Sequence, residues 1–151
     1  MCWGGFSYNG VGGFHQIDAK MDKHQYLSIV KYVGVPSALL LLGDDFVWQQ
    51  DNDPKHTSYL LQDFFEKCED RGTCSLLPWP SYSPDLNPIE HLWYKVDRMA
   101  KERSCNTTLE LFEAVEAAWK AVPLSYLQNL IDSMPRRIEA VIKAKGGHTR
   151  Y

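Results

Sequence analysis

No stretch of this 151-residue chain is apolar for the ~20 residues that a membrane-spanning helix needs. The longest apolar run, around Val33 to Leu42, is interrupted by Gly34, Pro36 and Ser37, so no membrane helix is expected. The opening Met1-Cys2-Trp3-Gly4-Gly5 has neither the basic n-region nor the apolar h-region of a secretory signal, and an intracellular protein is expected. Four cysteines stand at irregular spacings, with no CxxC pair and no HxxxH, which excludes the usual zinc frameworks and points to reduced, partly buried thiols. Internal repeats and low-complexity segments are also absent.

What remains is the composition of an ordinary globular domain, 44% hydrophobic and 23% charged. The net charge of −3 is unevenly divided. From Arg136 onward five Lys/Arg face Glu139 alone, a net +4, which leaves −7 for residues 1–135. An acidic body with a basic tail suits a protein that holds a cation by the one and nucleic acid by the other; a solvated terminal helix has the same pattern.

The pattern of apolar residues predicts an α/β order. Two short strands, 2–7 and 11–17, flank a Tyr8-Asn9-Gly10 turn. Asp22 caps a helix running through Gln25, Tyr26, Ile29 and Val30 and ending at Gly34-Val35-Pro36. A strand at 46–50 leads into Asp51-Asn52-Asp53-Pro54; a helix from about Thr57 to Lys67 and a strand from Cys74 follow. Ser83 to Pro88 is dense in turn residues. From Pro88, Ile89, Leu92, Trp93, Val96, Met99 and Ala100 form a helical apolar stripe. Two further helices, 109–121 and 125–143, are expected around Val122-Pro123. Trp48, Trp79 and Trp93 fall on these strand and helix patterns and read as core.

Two carboxylates stand where element ends would present them. Asp51 follows an apolar strand, at the sheet edge where open α/β folds place ligands, and Glu90 lies in the first turn of a long helix. Two-metal phosphoryl transfer needs oxygen ligands from different elements. Local structure explains the same residues: Asn87, Pro88 and Glu90 suit a capping box, and Asp51-Asn52-Asp53-Pro54 suits a turn.

Together, Gln49-Gln50-Asp51-Asn52-Asp53-Pro54-Lys55-His56-Thr57-Ser58 and Trp79-Pro80-Ser81-Tyr82-Ser83-Pro84-Asp85-Leu86-Asn87-Pro88-Ile89-Glu90-His91-Leu92-Trp93 closely resemble the two signature stretches of Tc/mariner-type transposases. Ser133-Met134-Pro135-Arg136-Arg137-Ile138 and Lys145-Gly146-Gly147-His148-Thr149-Arg150-Tyr151 resemble that family's closing segment. The resemblance implies an α/β, ribonuclease-H-like fold lacking its first strand, with extra C-terminal helices. It divides the chain into a core, 1–104, and a helical extension, 105–151. It also implies DDE chemistry, in which three carboxylates hold two Mg²⁺ or Mn²⁺ ions for DNA cleavage and strand transfer. Asp51 matches the second acid and Glu90 the third, and both are the expected metal ligands. Lys55, His56, Tyr82, Arg136, Arg137, Lys143 and Lys145 are the expected contacts to double-stranded DNA at transposon ends; His56 suits a structural role equally well. A homodimer in a full-length context, nuclear action and no membrane association complete what the family implies.

Two departures qualify the match. Asp51 and Glu90 have 38 residues between them, a few more than is commonest in the family, and the excess is assigned to a polar loop at 66–73. The family's first acid belongs to a strand upstream of Cys2-Trp3-Gly4. Asp18, Asp44 and Asp45 are poor substitutes, and the helix-turn-helix region of such enzymes has no counterpart. The expectation is a chain inactive alone; the alternative is a non-catalytic module that binds DNA or a transposase partner. Because the missing strand would lie at the centre of the sheet, its neighbours must pair with each other or leave backbone groups unpaired.

Overall fold

Asp22 does cap the first helix: its carboxylate accepts the backbone N–H groups of His24 and Gln25 at 2.9 and 2.8 Å. In the computed structural model, which describes residues 1–81, 83–147 and 149–150, that helix is α1 (Lys23–Ile29). Strands β1 (Cys2–Ser7) and β2 (Gly10–Gln16) precede it. Contrary to the expected stop at Gly34-Val35-Pro36, the helix runs on through a π-helical turn (Val30–Gly34) into α2 (Val35–Leu42). The Val35 N–H reaches back to Val30 O. The wider turn comes just before Pro36, whose ring would crowd the carbonyl four residues back in a regular helix. The 20 helical residues Lys23–Leu42, with a mean hydropathy of 1.4, are by length and composition sufficient to cross a membrane. Of these, Tyr26, Ile29, Val30 and Val35 are buried, while Tyr32 and Leu40 are exposed.

The remaining elements are β3 (Phe46–Trp48), α3 (Tyr59–Asp70), β4 (Cys74–Leu76), a 3₁₀ turn (Pro84–Leu86), α4 (Ile89–Ala100), α5 (Thr108–Lys120), α6 (Leu124–Asp132) and α7 (Met134–Lys143). The expected loop at 66–73 is mostly the end of α3, leaving only Arg71 to Thr73 as connection. The expected helix 125–143 is broken at Ser133, two residues before Pro135, into α6 and α7.

The chain divides into two units: Met1–Gly5 with Gly12–Tyr82, and Phe6–Val11 with Ser83–Tyr151. In the first, β3 and β4 pair in parallel, Phe46 opposite Cys74 and Trp48 opposite Leu76, and α3 supplies the crossover that parallel strands require. Their core gathers Tyr26, Val30, Val35, Phe46, Leu61, Phe65, Cys68 and Cys74. Burial, reinforced by neighbouring Cys68, pushes the Cys74 thiol up to about 12. Gly34 is where the rings of Trp3 and Trp48 close on the helix: a Cβ there would stand 2.6 Å from Trp48 Cη2 and 2.9 Å from Trp3 Cη2. β1–β2 and β3–β4 are separate two-stranded sheets. Of the two outcomes expected for a sheet without its central strand, mutual pairing of the flanking strands is not the one found among the described residues.

In the second unit α4 packs against α5 and α6, burying Leu92, Val96 and Ala100, and Trp93 stacks on Trp119 at 4.9 Å. Positions 104 and 105 lie in this unit, between α4 and α5. Tyr82, an expected DNA contact, lies outside the described residues.

Candidate functional site

Gln50 organises the turn that follows β3. Its side-chain oxygen accepts from Tyr26 Oη at 2.8 Å and Trp48 Nε1 at 3.3 Å, and its amide donates to His56 O at 3.1 Å. The strand end, the helix α1 and the far side of the turn are thus held by one side chain. Burial, and after it the charge of Asp51, pushes the Tyr26 phenol up, so it remains a donor to Gln50.

Within the turn two aspartates fold their own backbone. Asp51 Oδ1 accepts the Asp53 N–H at 3.1 Å, and Asp53 Oδ1 accepts the Lys55 N–H at 3.0 Å, both Asx-type turns. Partial burial pushes the Asp53 carboxyl up, but the hydrogen bonds and charge of Lys55 outweigh it and hold the group below its ordinary range. Asn52 Nδ2 donates to Trp79 O at 2.8 Å, tying the turn to the segment after β4. Asp51 stays 55% exposed at its side chain. Oδ1 is engaged a second time, by His56 Nδ1 at 2.6 Å, while Oδ2 is open among the described residues.

The local explanation offered for Glu90, a capping box, does not form. α4 starts at Ile89 with no side-chain capping hydrogen bond, and Glu90 is exposed in its first turn. The approach to α4 is fixed instead from the chain's other end. Arg137 donates from Nη1 to Asp85 O at 2.9 Å and from Nε to Ser133 Oγ at 2.8 Å, and Thr149 Oγ1 donates to Asp85 Oδ2 at 2.8 Å. Partial burial and the charge of Arg137 lower His91, against an opposing pull from Glu90.

Of the expected DNA contacts, Arg137 requires correction: it is 2% exposed, and its guanidinium is spent on the turn before Glu90. Lys55 is half-buried in its ion pair with Asp53, and the His56 ring turns inward to Asp51. Arg136, Lys143 and Lys145 are exposed. Asp51 belongs to the first unit and Glu90 to the second. Among the described residues no three acids, histidines or cysteines gather as a metal-holding group. Sequence reasoning missed Tyr26 and Asp85 as supports, because their partners lie 24 and 52 residues away.

Residues 49–111 match a family model described as DDE superfamily endonuclease. The chain is 46% identical over all 151 residues to the Tc1 transposase of Caenorhabditis elegans, and 44% identical to the Tcb1 transposase of Caenorhabditis briggsae. It spans about half the length of these relatives, 54% of each. Among solved structures it resembles the Mos1 transposase catalytic domain with raltegravir and Mg, with a TM-score of 0.82 at 18% identity, covering 99% of this chain and 76% of that one. It also resembles the Mos1 paired-end complex with the left transposon end, with a TM-score of 0.84 at 17% identity, covering 97% and 44%. The fold is that of the Mos1 catalytic domain.

Proposed function

We propose that the chain is part of a Tc/mariner-type DDE transposase, a reading supported by its likeness to the DDE superfamily endonuclease model and to the Tc1 transposase, and that Asp51 and Glu90 are two of the carboxylates that bind divalent cations for DNA cleavage and strand transfer. The observation that carries this reading is Asp51 itself. It follows β3 with one oxygen braced by two donors and the other open, and is half-exposed. Glu90, released from capping, is likewise open. Carboxylate oxygens are the hard donors that Mg²⁺ and Mn²⁺ prefer, and Mos1 structures with Mg and with Mn support the choice of ion. Bound there, such ions would activate the attacking oxygen and stabilise the leaving one.

The chain's own residues supply orientation. Gln50, Tyr26 and the paired Asx turns fix the backbone at Asp51; Arg137 and Thr149 fix the turn that leads to Glu90. The substrate is double-stranded DNA, a transposon end, a proposal supported by the Mos1 complex with such an end. Exposed Arg136, Lys143 and Lys145 are the proposed phosphate contacts. The third acid is assigned to the strand that precedes this region in longer family members. The region alone is therefore expected to be inactive, and the complete transposase to act in the nucleus as a homodimer.

Mn²⁺ calorimetry on the wild type, Asp51→Asn and Glu90→Gln tests the reading. Saturable binding that either change weakens by about tenfold or more supports it. A folded wild-type chain that binds no Mn²⁺, or binds it equally in all three proteins, overturns it.

A further inference from the structure

His56, five residues beyond Asp51, turns its ring back on the carboxylate, with Nδ1 2.6 Å from Asp51 Oδ1. A carboxylate only accepts, so Nδ1 carries the proton and donates. Nε2 is then the ring's acceptor, and it is buried with no hydrogen-bond partner among the described residues. Buried polar atoms are ordinarily paired. A histidine whose task was to contact phosphate would keep that second nitrogen in reach of solvent. Here the surroundings favour the single inward bond: Tyr26 stacks on the ring at 4.0 Å, and Gln50 holds the His56 carbonyl at 3.1 Å.

We propose that His56 is a positioning residue for Asp51. Its Nδ1–H and the backbone N–H of Asp53 converge on Oδ1, stop the half-exposed carboxylate from rotating, and leave Oδ2 as the oxygen available to a cation. The role deepens the metal reading of Asp51 and rests on it. Outer partners of this kind act by fixing the orientation and basicity of the ligand they touch.

The first measurement is the tautomer of His56, read by long-range ¹H–¹⁵N correlation on histidine-labelled protein without metal. Nδ1–H is expected in the wild type, reverting to the Nε2–H form usual for free histidine in Asp51→Ala. Nε2–H in the wild type, or Nδ1–H retained in Asp51→Ala, overturns the pair. The second is Mn²⁺ affinity, by water-proton relaxation, in the wild type, His56→Leu and His56→Asn, the last placing an amide N–H near the Nδ1 position. Affinity is expected to fall about tenfold in His56→Leu and to be largely restored in His56→Asn. Equal affinity in all three overturns the positioning role and leaves the metal reading standing. No binding by the wild type overturns the metal reading and the positioning role with it, even with the tautomer as expected.

Discussion

Asp22 and Asp51 show how differently one side chain can be used when it stands at the end of an element. Asp22 spends one oxygen on two backbone N–H groups of α1, and those bonds, that of Gln25 foremost, hold its carboxyl below the ordinary 3.8. A depressed carboxyl contributes stability that is complete above its unfolded value and is lost as the pH falls below it toward the folded value. Asp22→Asn keeps a capping oxygen but cannot titrate. Its melting temperature is therefore expected to fall less than the wild type's as the pH drops below about 4, as read by circular dichroism melts across that range; identical profiles would exclude the cap as an acid-sensitive contact. Asp51 stands out in the sequence because a long motif surrounds it. Its supports do not: Tyr26 and Gln50 meet only after α1 has been folded against β3, a contact with no local signature.

The elements diverge from sequence expectation where packing overrides a local rule. Gly34-Val35-Pro36 carries the usual marks of a helix end, yet the helix continues, because Gly34 is the point where two indole rings approach its backbone. Helix propensity cannot register a ring contributed by a strand 14 residues later. Gly34→Ala should therefore destabilise the protein by about 1–3 kcal/mol through overpacking, despite alanine's better helix propensity, as measured by urea unfolding; a neutral or stabilising result would mean that the rings can move aside. The same blindness explains Arg137. Its place in a basic tail suggested DNA, but a position on α7 facing the 3₁₀ turn gave it a carbonyl to hold 52 residues away. The strands, the long stripe of α4 and the α/β order were legible, since each depends on periodicity alone.

At the scale of the whole molecule, the described residues form two two-stranded sheets and divide into two compact units. Arg136, Lys143 and Lys145 place exposed positive charge near the end of the chain. Replacing Arg136, Lys143 and Lys145 together by glutamine is expected to weaken DNA binding at every sequence and to lower the salt slope by about 2.7, at roughly 0.9 per phosphate contact. Fluorescence anisotropy over a salt series reads both, and an unchanged slope would remove these residues from the interface. The cysteines add a different kind of handle. Cys68 and Cys74 are sealed in the core of the first unit, with Cys74 pushed to about 12, while Cys105 in the second is half-buried. A thiolate, not a thiol, reacts with alkylating reagents, so the two buried thiols are silent until their unit opens. Pulsed alkylation read by mass spectrometry would then time the breathing of one unit separately from the other, using reporters the protein already carries.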